Sequence, residues 1–102
     1  MNDLFKEDEL EVLREIGQRL RFIRKKRELT QELLAAKAGF SRSYYSDIET
    51  GKRNISILNL CKLTIALDIT LSELLEPVKD YAAKKELIAA NAMDSYERSC
   101  SR

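Results

Sequence analysis

Residues 30–50 read TQELLAAKAGFSRSYYSDIET, a segment that holds two candidate helix-capping residues, Thr30 and Ser41, and a glycine between them. Thr30 and Ser41 are residue types whose side-chain oxygen can accept a hydrogen bond from the free backbone N–H groups at a helix N-terminus. They therefore predict two short helices, over residues 31–38 and 42–50.

Two glycines mark the ends of these helices. Gly39 and Gly51 can adopt the left-handed backbone that commonly ends a helix, because they lack a Cβ atom. Only residues 39–41 link the two helices, and so short a link forces the helices to cross sharply. The stretch therefore predicts a helix-turn-helix.

Further helices are predicted on both sides of this motif. Apolar residues recur at three- and four-residue steps through residues 8–28, which predicts one long first helix. Ser56 can cap a fourth helix over residues 57–67, and Thr70 opens the capping-box pattern of a short fifth helix. The inward side of the fourth helix is expected to carry Ile57, Leu60, Cys61, Leu63, Thr64 and Leu67.

The fold class that follows is all-α, with an extended first helix and an additional C-terminal helix. One proline and three glycines among 102 residues leave few points at which helices must break. We expect residues 1–15 to be an extension that continues into the first helix, and residues 16–76 to be the helix-turn-helix domain. Residues 77–93 are predicted to form a C-terminal helix used in packing or dimerisation, and residues 94–102 a flexible tail.

Charge is distributed unevenly along this sequence. The formal net charge is +1, yet residues 19–62 carry eleven basic and only four acidic side chains. A basic middle between acidic ends is expected if one face of the molecule meets a polyanion.

Several function classes lack their characteristic residues. There is no histidine, which is the most frequent general base and metal ligand. The two cysteines, Cys61 and Cys100, match no metal or redox spacing, and Cys61 is expected to be a buried thiol. No apolar run has the length of a membrane span or the form of a signal peptide. We therefore expect a soluble cytoplasmic protein that is not an enzyme, with no cofactor, metal, membrane or small-molecule substrate.

Residues 19–75 resemble the Cro/repressor-type helix-turn-helix family of phage repressors and bacterial regulators. Five pieces agree in order, namely LTQ at 29–31, AGFS at 38–41, IE at 48–49, GKRN at 51–54 and LSELL at 71–75. The resemblance implies a five-helix, lambda-repressor-like DNA-binding domain whose third helix enters the major groove. It also implies a transcriptional regulator that binds a roughly palindromic operator as a homodimer.

The family pattern assigns roles in DNA binding to individual residues of this sequence. Arg42 and Ser43 begin the third helix and are predicted to read bases, and Arg42 can donate two hydrogen bonds to guanine. Asp47 either reads a cytosine, orients Arg42 or avoids nearby phosphates. The residues predicted to contact phosphates are Arg24, Thr30, Gln31, Ser41, Tyr44, Lys52, Arg53 and Asn54. Tyr45 is expected to pack in the core.

The resemblance further predicts a structural pair and a dimer surface. Arg24 and Glu49 match an ion pair that joins the first and third helices of related repressors, although they could also be two unrelated solvated charges. The predicted dimer interface comprises Ile65, Ile69, Leu71 and Leu74. The stretch NISILNL at 54–60 resembles the controller proteins of restriction–modification systems, which suggests that subfamily.

A different class of function is compatible with the same fold. Leu33, Leu58 and Ile65 occupy positions that are commonly polar in the family, and surplus apolar residues at the surface suggest that something covers them. An antitoxin-type or anti-repressor-type protein-interaction module is therefore the alternative hypothesis. RNA binding is a weaker third option, because no motif of the common RNA-binding modules is present.

Overall fold

The structure is a computed structural model that describes residues 7–76, 89, 90, 92–94 and 96. Its helices are α1 (Glu7–Lys26), α2 (Gln31–Ala38), α3 (Arg42–Glu49), α4 (Ile57–Leu67) and α5 (Leu71–Leu75). The described residues beyond 76 are also helical, and no strand occurs in the part of the chain that the structure describes. The predicted all-α class is confirmed. Most of the predicted C-terminal helix and tail lies outside the described residues.

Each predicted N-cap is present. Thr30, Ser41 and Ser56 each accept a hydrogen bond from the backbone N–H three residues later, at 3.1 Å. Thr70 accepts one from Glu73 at 3.0 Å, and the Glu73 carboxylate accepts the Thr70 backbone N–H in return, which completes the capping box. Because caps are local interactions, the sequence located the starts of α2 to α5 correctly.

The turn between α2 and α3 has the expected geometry. Gly39 follows α2 with φ of 83°, the left-handed conformation that favours glycine. The backbone N–H of Phe40 donates to the Ala35 carbonyl at 2.8 Å, which satisfies one of the free carbonyls at the end of α2. The three-residue link therefore leads directly into α3, whose first turn is positioned by the rigid α2.

A single core holds the five helices together. Helix α1 packs against α3 and α5, while α2 packs against α3 and α4. The buried apolar residues are Leu20, Ile23, Leu34, Ala35, Tyr45, Ile48, Leu60, Leu63, Leu67 and Leu74. Leu74 is 0% exposed, so it offers no surface to a second copy, and its assignment to the dimer interface was wrong. Its position in the amphipathic α5 turns it toward α1 and α4 instead.

Two further predictions about α4 need correction. Ile57 was predicted to face inward but is 62% exposed at the first position of α4, directly after the Ser56 N-cap. Cys61 was expected to be buried but is only partly so. The inner face of α4 is narrower than the run of apolar residues suggested, and Leu60, Leu63, Thr64 and Leu67 fill it.

A glycine allows α1 to lie directly on the end of α3. A Cβ atom on Gly17 would stand 2.3 Å from the Glu49 carbonyl oxygen and 2.6 Å from that of Ile48. Such distances are far below a van der Waals contact, so only glycine permits this approach. The contact sets the position of α3 relative to α1, the longest of the helices that the structure describes.

Candidate nucleic-acid interface

The outer face of α3 is polar and accessible at its first turn. Arg42 and Ser43 are exposed, and Asp47 lies one turn further along the helix, half-buried. Ser43 and Asp47 are four residues apart, so they stand on the same edge of the helix. Ser43 and Asp47 therefore share one accessible edge of α3, and Arg42, at the neighbouring position, is exposed at the start of the same helix.

The inner face of α3 is buried against the rest of the domain. Tyr45, Ile48 and Glu49 are all buried, and Tyr45 lies in the core as predicted. Two of these three side chains are polar, so their hydrogen bonds must be made inside the protein.

The predicted ion pair between Arg24 and Glu49 is formed. Arg24 Nε donates to Glu49 Oε2 at 2.6 Å, and Arg24 Nη2 donates to Glu49 Oε1 at 3.2 Å. Arg24 is 7% exposed and Glu49 6%, which excludes the interpretation as two solvated charges. Arg24 Nη1 also donates to the Leu29 carbonyl at 2.8 Å, so the same guanidinium holds the segment before α2.

Two neutral donors complete the environment of Glu49. Gln31 Nε2 donates to Oε1 at 2.9 Å, and the Tyr45 hydroxyl donates to Oε2 at 2.6 Å. Glu49 therefore accepts four hydrogen bonds from three residues, on α1, α2 and α3. Gln31 was predicted to face a phosphate, and its amide is instead engaged inward in the free protein.

The protonation of this cluster follows from its geometry. Burial alone would raise the pKa of Glu49, but the hydrogen bonds from Arg24, Tyr45 and Gln31 outweigh it, and the pKa is lowered. The hydrogen bond with Glu49 raises the pKa of Arg24. Burial, reinforced by the hydrogen bond to Glu49, raises the pKa of Tyr45. At neutral pH the cluster is an ionised pair supported by a neutral phenol.

A surface depression connects the start of α2 with the start of α3. It is lined by Arg24, Thr30, Gln31, Glu32 and Arg42. Three predicted phosphate contacts and one predicted base contact therefore border one continuous surface. Arg24 reaches it only with the edge that Glu49 and Leu29 leave free, because the residue is almost completely buried.

The opposite side of α3 carries a second set of predicted phosphate contacts. Lys52, Arg53 and Asn54 are all exposed in the loop that follows α3. Arg53 Nη2 lies 3.7 Å from Asp47 Oδ2, and its guanidinium carbon lies 5.1 Å from the centroid of the Tyr44 ring. The loop cation is thus linked to the outer face of α3.

Sequence reasoning missed one residue of this region, Asn59. Its Nδ2 donates to the Tyr44 hydroxyl at 2.8 Å, from the first turn of α4. The Tyr44 ring also meets the Phe40 ring edge-on, with centroids 5.0 Å apart. Tyr44 is therefore held on two sides and is only half-exposed. No local pattern signals a bond between side chains 15 positions apart.

Apolar side chains remain exposed outside this polar surface. Leu33 is 53% exposed, Leu58 64% and Ile65 77%, as their unusual positions suggested. Leu58 and Ile65 are seven residues apart on α4 and therefore share a side of that helix. Ile69 and Leu71, which follow on the chain, are half-buried.

A metal site and a membrane-spanning helix are both absent from the residues that the structure describes. There, no group of His, Cys, Asp and Glu side chains could hold a metal ion. None of the helices in the same residues has both the length and the apolarity needed to cross a bilayer.

Comparison with known proteins agrees with this geometry. A family profile described as helix-turn-helix matches residues 20–74, which is more than half of the chain. The chain belongs to the helix-turn-helix family. The prediction of that family from the five sequence pieces is confirmed.

Several members of the helix-turn-helix family are closely similar to this chain. The control protein C.MunI of a Mycoplasma species is 48% identical over 64 residues, which cover 62% of this chain and 86% of that protein. The crystal structure of the restriction–modification controller protein C.AhdI from Aeromonas hydrophila is also 48% identical. It superposes with a TM-score of 0.60 over 61% of this chain and 94% of its own.

A third helix-turn-helix relative was solved with DNA. The controller protein C.Esp1396I, as a tetramer in complex with its natural 35 base-pair operator, is 30% identical. The match has a TM-score of 0.61 and covers 66% of this chain and 88% of that one.

Proposed function

We propose that this protein is a sequence-specific regulator of transcription that binds double-stranded DNA as a homodimer, and that it controls a restriction–modification system. The observation that carries the proposal is the exposed first turn of α3, anchored from behind by the buried Arg24–Glu49 pair. An accessible polar helix edge on a rigid support is what major-groove recognition requires.

Base recognition is assigned to the first turn of α3. Arg42 can donate two parallel hydrogen bonds to N7 and O6 of a guanine, which is the commonest specific contact in the major groove. Ser43 can bond to several bases and discriminates less. Asp47 can accept from a cytosine amino group once Arg53, 3.7 Å away, turns to a phosphate.

Phosphates are assigned to the two surfaces that flank α3. On one side Thr30 and Gln31 begin α2, where free backbone N–H groups and the helix dipole favour an anion. On the other side Lys52, Arg53 and Asn54 stand exposed in the loop after α3. The smaller predicted contributions come from Arg24, Ser41 and Tyr44. Such contacts fix the register of the protein on DNA without reading sequence.

Dimerisation is assigned to the surface around the end of α4. Ile65 is 77% exposed, and Ile69 and Leu71 lie nearby on the chain with part of their surface accessible. A two-fold axis through this surface would present two α3 helices to DNA, and a symmetric protein matches a palindromic site. The resemblance to C.MunI and C.AhdI, both at 48% identity, supports the controller role.

We propose a binding function and no catalytic activity. Because its proposed ligand is DNA, and the controller proteins C.MunI and C.AhdI that it resembles come from bacteria, we assign the protein to the cytoplasm.

Selection of duplexes from a random pool tests the proposal. We expect the protein to enrich a roughly palindromic motif. We also expect the logarithm of its binding constant to fall linearly with the logarithm of the salt concentration, with a slope of about −0.9 for each phosphate contacted. If no motif is enriched at moderate salt, the protein-interaction alternative, supported by exposed Leu33, Leu58 and Ile65, replaces the DNA-binding one.

The assigned dimer surface has its own test. Ile65→Ser should shift the protein toward monomer in analytical ultracentrifugation, whereas Leu33→Ser, on a different helix, should leave the association unchanged. An unchanged dimer in the Ile65→Ser variant would show that another surface is used.

A further inference from the structure

Asn59 occupies an unusual place relative to the outer face of α3. Its backbone N–H is capped by Ser56 Oγ at 3.1 Å, which fixes the first turn of α4. Its side chain then reaches across to α3, where Nδ2 donates to the Tyr44 hydroxyl at 2.8 Å. The amide is thus supported by a helix start on one side and engaged with the DNA-facing helix on the other.

The direction of this hydrogen bond has a chemical consequence for Tyr44. A phenol oxygen can accept hydrogen bonds and can donate one proton. Because the Asn59 amide donates to the oxygen, the proton of the Tyr44 hydroxyl is left for a different acceptor. Phosphate oxygens, and N7, O6 and O4 at the base edges of the major groove, are all acceptors.

The aromatic ring of Tyr44 also contacts Arg53. Phe40 packs edge-on against the ring at 5.0 Å between centroids, and the Arg53 guanidinium lies 5.1 Å from the ring centroid. A cation over an aromatic face is attracted by the ring electrons. The hydrogen bond from Asn59 therefore restrains the ring on which Arg53 rests.

We propose that Asn59 is a positioning residue for DNA recognition, which donates to the Tyr44 hydroxyl, directs the hydroxyl proton outward and steadies the ring beneath Arg53. This inference rests on the proposed function, since it assigns a role within the DNA-binding surface. Asn59 itself does not contact DNA, and its whole effect on binding passes through Tyr44.

A double-mutant cycle tests whether Asn59 acts on DNA binding through Tyr44, with affinity measured for a duplex obtained in the selection. Asn59→Ala should weaken binding about three- to tenfold, the range expected for one neutral hydrogen bond. Tyr44→Phe, which removes only the hydroxyl, should weaken binding by at least as much. The double variant should be no weaker than Tyr44→Phe alone, because the amide then has nothing left to orient.

Reversal of the hydrogen bond provides a sharper test. A carboxylate can only accept, so Asn59→Asp draws the Tyr44 proton inward and should weaken binding more than Asn59→Ala does. The same substitution in the Tyr44→Phe background measures only the repulsion between the new charge and DNA. We expect Asn59→Asp to cause a clearly larger loss of DNA affinity in the wild type, which has the Tyr44 hydroxyl, than in Tyr44→Phe.

A matched control comes from the other asparagine beside α3. Asn54→Ala removes an exposed amide of the neighbouring loop, and its effect should add to that of Tyr44→Phe. Additive losses for Asn59→Ala as well would overturn the inference, because they would mean that Asn59 contacts DNA directly or acts through the fold. A wild-type protein that selects no duplex would overturn the proposed function together with this inference.

Discussion

Helix α3 carries two carboxylates, only two positions apart, in opposite environments. Glu49 is 6% exposed and accepts four hydrogen bonds, including two from Arg24. Asp47 has a side chain that is 41% exposed, and its ion-pair partner Arg53 stands 3.7 Å away on a loop. The same helix therefore takes part in one buried ion pair and in one solvent-exposed ion pair.

The two ion pairs give the two sides of α3 different properties. A buried pair cannot open without leaving a charge unsatisfied, so it holds α3 in one position relative to α1 and α2. An exposed pair contributes little to stability and can be replaced by contacts with DNA at small cost. The proposed base recognition by Arg42 requires both, because the side of α3 that would face DNA must be free and the buried side must not move.

The largest expected effect follows from removal of the buried charge. Glu49→Gln leaves the Arg24 guanidinium buried without its counter-ion, and we expect the free energy of unfolding to fall by about 3–5 kcal/mol. Urea denaturation followed by circular dichroism measures it. A loss below about 1 kcal/mol, as at a surface pair, would show that Glu49 contributes no more to stability than an exposed carboxylate does.

Acid titration probes the same difference without a mutation. The pKa of Glu49 is lowered by folding, so its contribution to stability is complete above its unfolded value of about 4.5 and is lost as the pH falls through the lower, folded value. The free energy of unfolding of the wild type should therefore decrease below about pH 4.5 more steeply than that of Glu49→Gln. Parallel curves for the two proteins would contradict the assignment.

A smaller loss is expected where α1 supports α3. Gly17→Ala places a Cβ atom 2.3 Å from the Glu49 carbonyl oxygen, and the helices must separate to admit it. Overpacking of this kind costs about 1–3 kcal/mol. Gln18→Ala, at the next and exposed position of the same helix, should change stability by no more than about 0.5 kcal/mol. Equal effects would mean that the close approach has no role in holding α3.

The smallest effect on stability is expected at the exposed carboxylate. Asp47→Asn should change the free energy of unfolding by less than about 1 kcal/mol. Its influence should appear in DNA binding instead, as an altered base preference at one position of each half-site. A variant that lost several kcal/mol of stability would place Asp47 with Glu49 on the supporting side.

Much of this arrangement could be predicted from sequence because it depends on local patterns. Thr30, Ser41, Ser56 and Thr70 identify their helices through bonds that span three residues. The Arg24–Glu49 pair could be predicted only through the family resemblance, since its partners are 25 residues apart.

What the sequence could not predict depends on tertiary geometry. Leu74 looked suitable for an interface, yet it is fully buried because α5 turns that side toward the core. The sequence is the same whether Gln31 faces a phosphate or Glu49, and only the position of α3 brings the Glu49 carboxylate within reach of the Gln31 amide. The bond between Asn59 and Tyr44 joins two helices whose packing no local pattern describes.

We propose that the exposed first turn of α3 reads bases while the buried side of the same helix only supports it. Site selection with the wild type, Arg42→Ala and Arg53→Ala in parallel tests it most directly. Arg42→Ala should retain wild-type stability and lose about 1–3 kcal/mol of discrimination at one base pair of each half-site. Arg53→Ala should weaken all duplexes alike. If Arg42→Ala also weakens every duplex by the same factor and keeps the wild-type motif, the claim is contradicted.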